Sequence, residues 1–337
     1  EVSAKVILLD AIRKGTTTLV DHHASPGAVT GSLGRIAKAV KETGLRSCLC
    51  YEVSDRDGAA VAEEGLEENA AFARECASAN DPQLRALFGL HAAFTLSDGT
   101  LEKAARLGKD AGVGFHVHVA EAASDVAANR AKYGKSSARR LIDHGILGKG
   151  SIAAHAVHCD DADKDALAAS GTWVVHNPQS NLNNAVGIAD VLGLVKRGVP
   201  VGLGTDAMTV NMLEEVRVGL WAQHLRQDNP SCGFMELTGA LFVRNPEIAS
   251  ALWGFPIGTL AEGSAADVIL VDYLAPTPLN DSTVLGHLVF GISQAVVDTT
   301  ICGGRVLMHG RKLEIGLDEE ALAAESRRLA TALWERF

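Results

Sequence analysis

Gly112-Val113-Gly114-Phe115-His116-Val117-His118-Val119-Ala120-Glu121 holds the pattern that recurs through this chain. A helical pattern ends at Gly112, and glycine is the residue that tolerates the left-handed turn closing a helix. A β-rich run follows at once. Side chains alternate along a strand, so Val113, Phe115, Val117 and Val119 share one face and Gly114, His116 and His118 the other. The apolar face suits contact with helices, and the histidine face looks inward. The run ends at His118, with Glu121 in the loop beyond.

The same order recurs along the chain. Gly15 precedes a strand-like run at 16–22, Gly44 one at 45–51, Gly150 one at 151–155, Gly171 one at 172–176 and Gly198 one at 199–206. A further run, 84–91, follows Asn80-Asp81-Pro82. Helical patterns separate them, at 32–42, 61–79, 101–111, 136–144, 163–169 and 188–196, with closing helices at 211–226 and 234–252. Strict alternation implies a parallel sheet. A doubly wound sheet would show a glycine-rich first turn and a later acidic residue, and neither is present. Instead, strand after strand ends in His or Asp: Asp21-His22-His23, His91, His118, His155, His176 and Asp206. Functional side chains collect at that end of a (β/α)8 barrel. The expected fold is therefore α/β, a (β/α)8 TIM-type barrel over residues 1–257. The runs number seven rather than eight, and the chain opens on an amphipathic helix at 2–13, so the first strand is expected to be missing. Residues 258–337 read as the remainder of a small β-domain, with strands at 266–273, 295–301 and 304–313 and a final helix at 318–334.

Composition narrows the functional classes. The chain has 337 residues, 47% of them hydrophobic, and a net charge of −10, which disfavours nucleic acid or an anionic membrane as a partner. No run is apolar enough to span a bilayer. The six cysteines show no CxxC spacing and read as reduced core thiols of a cytoplasmic protein. Cys48 and Cys50 share one strand face, and core packing is the expected reason.

Several strand ends suit chemistry. An imidazole at His118 can bind a metal while Glu121 reaches the water on it. His155, ending Ala153-Ala154-His155, is placed to hold that water or to ligate, and His158 reads as a loop residue with a structural task. In 199–206 the inward face is Pro200, Gly202, Gly204 and then Asp206, a carboxylate able to bind metal and accept a proton; an Asp here also suits a helix N-cap. His91, His176 and Asn177 suit a substrate-binding rim or an ordered loop. His22 and His23 point to opposite faces and cannot both enter the lumen.

The strings His118-Val-Ala-Glu121, Ala154-His155-Ala-Val-His158, His176-Asn-Pro-Gln-Ser-Asn181 and Gly204-Thr-Asp206 arrive in this order. Together they resemble the amidohydrolase superfamily, in its chlorohydrolase and aminohydrolase branch. Gly15-Thr-Thr-Thr-Leu-Val-Asp-His-His-Ala-Ser-Pro26 is most similar to the SsnA-type aminohydrolases of that branch. The resemblance implies one divalent metal, zinc first and iron second. Its ligands would be His118, Asp206 and a His-x-His pair on the first barrel strand. Glu121 would shuttle protons, with His155 on the water and His91 facing the substrate. No such pair precedes Gly15, so an N-terminal truncation is expected, with weak metal binding and poor turnover by the chain as it stands. The strand at 84–91 carries no lysine, which argues against relatives that bridge two metals with a modified lysine. The implied activity is hydrolytic deamination of a purine-like or other heterocyclic amidine. Other leaving groups (chloride, an alkylamine, an amide) stay open, as does a non-catalytic scaffold for a molybdenum hydroxylase. The expected partner is a small heterocyclic substrate, and a homodimer is compatible with this reading.

Overall fold

The computed structural model describes residues 1–336. The helix Val2–Arg13 leads into β1 (Thr18–Val20), followed by β2 (Arg46–Leu49), β3 (Leu84–Ala86), β4 (Phe88–Ala92), β5 (Phe115–Val119), β6 (Ile152–His155), β7 (Trp173–His176) and β8 (Val201–Leu203). All neighbours pair in parallel, in the orders β1-β2-β3 and β4-β5-β6-β7-β8. β3 and β4 are one strand interrupted at Leu87, whose N–H still reaches the Leu49 carbonyl. Seven strand positions result, as the alternation implied, in the barrel arrangement with helices outside. Phe115, Val117 and Val119 are buried while His116 and His118 are only partly so. The apolar face is the one that packs on helices.

The interruption at Leu87 has a side-chain remedy. Asn69, from the helix Ala59–Ala79, inserts its carboxamide between the two strand ends. Its Oδ1 accepts from Tyr51 N at 2.8 Å and Gly89 N at 3.2 Å, and its Nδ2 donates to the Tyr51 and Gly89 carbonyls at 2.8 and 3.3 Å. Gly89 is required there, because a Cβ would lie 2.3 Å from the Tyr51 carbonyl oxygen. Beyond this seam β2 continues as far as Val53, which bridges to Leu90. The seam thus positions Glu52 and His91, both near the barrel mouth.

The elements differ from the sequence reading in instructive places. A helix at Ala123–Tyr133 was not anticipated; Asn129 is its one buried residue, so it carries no apolar stripe to betray it. Pro178–Asn183, only six residues long, starts on proline, which fits the first turn of a helix. The short helix Val284–Phe290 also escaped. The expected helix at 234–252 is broken into Phe234–Gly239, a π turn at Ala240–Arg244 and Asn245–Trp253. At that break the Asn245 carboxamide turns to β8, accepting from Leu203 N at 2.9 Å and donating to Leu203 O at 2.8 Å. It satisfies backbone groups on the side of β8 away from β7.

The later strands are β9 (Val268–Asp272), β10 (Val296–Cys302), β11 (Arg305–His309) and β12 (Lys312–Leu313), an antiparallel sheet in the order β12-β11-β10-β9. The expected strand at 304–313 is a hairpin, turned by Gly310 and Arg311 with φ of 54° and 65°. This sheet is tied to the barrel by the buried Arg46–Asp267 ion pair and by the Thr300 hydroxyl, which donates to the Ile12 carbonyl at 2.8 Å. The helix Glu319–Trp334 lies against Val2–Arg13, joined by Arg13–Glu319.

An Asn69→Leu variant strands three buried backbone groups at the seam, the Tyr51 N–H and carbonyl and the Gly89 N–H, while the Gly89 carbonyl keeps the Val53 N–H. Chemical denaturation should show a loss of about 3 kcal/mol, the upper end of the penalty for one stranded polar group. An unchanged midpoint would show that the carboxamide is not what joins β2 to β4.

Candidate active site

β5 and β6 lie side by side, with His118 opposite Ala154 and Val119 opposite His155. The His118 and His155 rings stack at a centroid separation of 5.4 Å. Each ring is anchored through Nδ1. His118 Nδ1 lies 2.7 Å from the His91 carbonyl, an acceptor, so it carries the proton and leaves Nε2 as a lone pair. His155 Nδ1 lies 2.9 Å from the Asn181 carboxamide oxygen, and its Nε2 stands 3.6 Å from Glu121 Oε2. The backbone is bent to achieve this. Ala120, His155, Ala156 and Asp206 all have left-handed φ, of 50°, 73°, 54° and 49°. Such conformations in non-glycine residues persist where surrounding structure enforces them, commonly at functional sites.

Asp206 lies just beyond β8 and does not cap the next helix. That helix, Met212–Gln227, is capped by Asn211. The Asp206 carboxylate instead accepts from the Ser180 hydroxyl and, at 2.7 Å, from Ala207 N. Glu121, His155 and Asp206 each place a potential ligand atom within 4.8 Å of the others. A second such group is His22, Glu52 and His118, and a third is His22, Cys50 and His116. The expected ligand pair is therefore divided: His118 belongs to one group and Asp206 to another, and His155 stacks on the first while joining the second.

Burial sets the charge state of the rings. It holds His22 and His116 well below the ordinary imidazole range, helped by neighbouring imidazoles, and it lowers His155. Burial also brings His91 to about 4 and His176 to about 3. These rings are neutral at pH 7, the form that donates a lone pair to a cation.

The structure redistributes the other candidates. His91 is half-buried beside His118, its ring 5.5 Å away and its Nδ1 2.8 Å from the Thr95 hydroxyl. His176 and Asn177 do not form an open rim. His176 is 1% exposed with both ring nitrogens unpartnered, and Asn177 Nδ2 lies 3.4 Å from His155 Nδ1. A parallel strand end reads as exposed in sequence, but here the Pro178–Asn183 helix turns Ser180 to Asp206 and Asn181 to His155. His23 turns away to Ser25, and His158 to the Val186 carbonyl. Sequence reasoning missed Ser180, Asn181 and Glu52. The first two occupy the quoted 176–181 string, and Glu52 falls on the same alternating face as Cys48 and Cys50.

The donor set fits a divalent cation. Imidazole nitrogens freed by Nδ1 anchors, together with carboxylate oxygens, suit zinc or iron. The anchors are the outer contacts that orient metal-binding histidines elsewhere.

The amidohydrolase family profile matches residues 1–307. The chain belongs to the amidohydrolase family. Among amidohydrolases it is 35% identical over 332 residues to a 5-methylthioadenosine/S-adenosylhomocysteine deaminase of Pelotomaculum thermopropionicum, a match covering 97% of this chain and 74% of that protein. It is 33% identical over 334 residues to a 5'-deoxyadenosine deaminase of Methanosarcina mazei, with the same coverage of each. The zinc-bound adenosine deaminase structure from Xanthomonas campestris superposes with a TM-score of 0.86 at 24% identity, over 99% of this chain and 75% of that one. Atrazine chlorohydrolase TrzN from Arthrobacter aurescens, complexed with zinc, superposes at 0.82 and 21% identity, over 97% and 75%. At those identities the two structures establish the shared amidohydrolase barrel.

Asn181→Ala removes the anchor of the His155 ring. Zinc affinity or turnover should fall by roughly 10- to 100-fold, with an unchanged circular dichroism spectrum. If both stay at the parent level, His155 needs no orienting partner.

Proposed function

We propose that this amidohydrolase removes the exocyclic amine of an adenine-type nucleoside by hydrolysis, with a divalent cation as cofactor. The observation that carries the reading is the approach of Glu121 Oε2 to His155 Nε2 at 3.6 Å, with Asp206 in the same group. A carboxylate and an oriented neutral imidazole thus face one small volume at the strand ends. Relatives at 33–35% identity that bear deaminase names support the substrate class.

His118, through Nε2, and Asp206 would hold the cation, linked by His155, which stacks on His118 and shares a group with Asp206. Zinc, before iron, supplies Lewis acidity that makes water an effective nucleophile near neutral pH. Glu121 takes a proton from the attacking water and delivers it to the ring nitrogen next to the reacting carbon. His155 orients the water through Nε2. Asp206 accepts the second proton, which returns through Glu121 to the departing amine and leaves both carboxylates ionised. A C–O bond forms, the C–N bond breaks and ammonia leaves, so the amidine becomes a lactam. His91, with its Nδ1 on Thr95, presents the other side of its ring at the edge of this volume. The six free cysteines support a cytoplasmic setting. Among the described residues, no helix is long and apolar enough to cross a membrane.

The test is ammonia release from 5'-methylthioadenosine, S-adenosylhomocysteine and 5'-deoxyadenosine, with a chlorotriazine and a simple amide as controls for other leaving groups. The nucleosides should react and the controls should not. Glu121→Gln should keep its zinc and lose about 10²- to 10⁴-fold in kcat. A full rate in that variant, or ammonia-free turnover of the chlorotriazine alone, would overturn the proposal.

A further inference from the structure

Deeper in the lumen than Glu121 and Asp206, three elements bring a thiol and two imidazoles together. Cys50 follows β2, His22 follows β1 and His116 lies within β5. Cys50 Sγ is 3.4 Å from His22 Nδ1 and 3.8 Å from His116 Nδ1. The His22 and His116 rings meet edge to face, with centroids 4.5 Å apart. We propose that Cys50, His22 and His116 form a second cation site, separate from the one at His118 and Asp206, which takes a thiolate-binding divalent ion of the zinc and cobalt class.

Geometry favours coordination over simple packing. Zinc binds sulfur at about 2.3 Å and imidazole nitrogen at about 2.0–2.1 Å in tetrahedral sites, which sets bound S and N atoms roughly 3.5 Å apart. The two S–N separations here bracket that value. All three donor atoms lie within 4.8 Å of one another. In the alternative, the thiol simply donates to the Asp21 carbonyl, 3.2 Å away. That arrangement gives His22 no function for its other nitrogen. His22 Nε2 is buried without a hydrogen-bond partner and stands 3.5 Å from Glu52 Oε2. A carboxylate behind the distal nitrogen of a ligating imidazole is the usual outer contact of a metal-bound histidine. It places the proton on Nε2 and turns the Nδ1 lone pair toward Cys50.

Binding is balanced in charge and atoms. The Cys50 thiol releases its proton to solvent, and the thiolate and two neutral rings take the cation, leaving a net charge of +1 on the group. Thiolate and imidazole ligands together select zinc-like ions over magnesium or calcium. The proposal stands independently of the deaminase reading, since none of its ligands is assigned to catalysis.

The probe is cobalt(II), added to chelator-treated protein. A Co–thiolate bond produces a sulfur-to-metal charge-transfer band in the near ultraviolet, which oxygen and nitrogen ligands do not. The parent protein should show the band. It should vanish in Cys50→Ser and persist in Cys48→Ser, two residues away on the same strand face. His116→Gln keeps the thiol and should weaken the cobalt affinity read from the band by about 10-fold or more; this variant decides the matter if Cys50→Ser does not fold. A parent protein without the band, a band that survives Cys50→Ser, or unchanged affinity in His116→Gln would overturn the site.

Discussion

The hydrogen bond from His118 Nδ1 to the His91 carbonyl, 2.7 Å long, is the contact on which the site depends. It joins the ends of two adjacent parallel strands, fixes one tautomer and turns one lone pair into the lumen. His155 repeats the device one strand further round, with the Asn181 carboxamide as the acceptor. The His118 anchor needs β4 and β5 to end in register, and β4 joins the continuation of β2 at the seam beyond Leu87. There the sheet passes from β3 to β4, and Asn69 supplies the hydrogen bonds that the interrupted ladder lacks. A polar side chain on an outer helix thus joins the strand that carries His91 to β2.

Such a lumen is costly to fold. Imidazoles, a thiol and carboxylates are gathered where an ordinary core would hold valine and leucine, and burial without partners is unfavourable. The ring nitrogens of His176 and the Asn181 Nδ2 have no hydrogen-bond partner, and His22 Nε2 has only the Glu52 carboxylate 3.5 Å away. Left-handed backbone at Ala120, His155 and Asp206 adds strain at the same strand ends. Gly202 and Gly204 leave room for the Asn245 and Asn177 carboxamides, whose oxygens a Cβ at either position would strike. Cation binding would recover part of this cost by pairing the exposed lone pairs.

The alternation of glycine-closed helices with short β runs was enough to read a parallel barrel, because each signal is local: a C-terminal glycine, a period of two, a polar residue at the strand end. His118, Glu121, His155 and Asp206 were legible for the same reason. What escaped depends on non-local contacts. Nothing in His176-Asn-Pro-Gln-Ser-Asn181 says that His176 is sealed while Ser180 and Asn181 reach Asp206 and His155 from a short helix. Cys50 read as core because burial and ligation use the same inward face. Its proximity to His22 and His116 arises from the pairing of β1 with β2 and the curvature of the sheet toward β5. The polar helix Ala123–Tyr133 was invisible to a search for apolar periodicity.

In the proposed reaction, water held among Glu121, His155 and Asp206 displaces an amine. The most direct measurement is isotope transfer, with the zinc-loaded protein and 5'-deoxyadenosine in water enriched in oxygen-18, read by mass spectrometry. One solvent oxygen should appear in the lactam carbonyl of the product for each ammonia released. A product without solvent oxygen, or no release of ammonia from any adenine nucleoside by protein with its cation bound, would contradict that reaction.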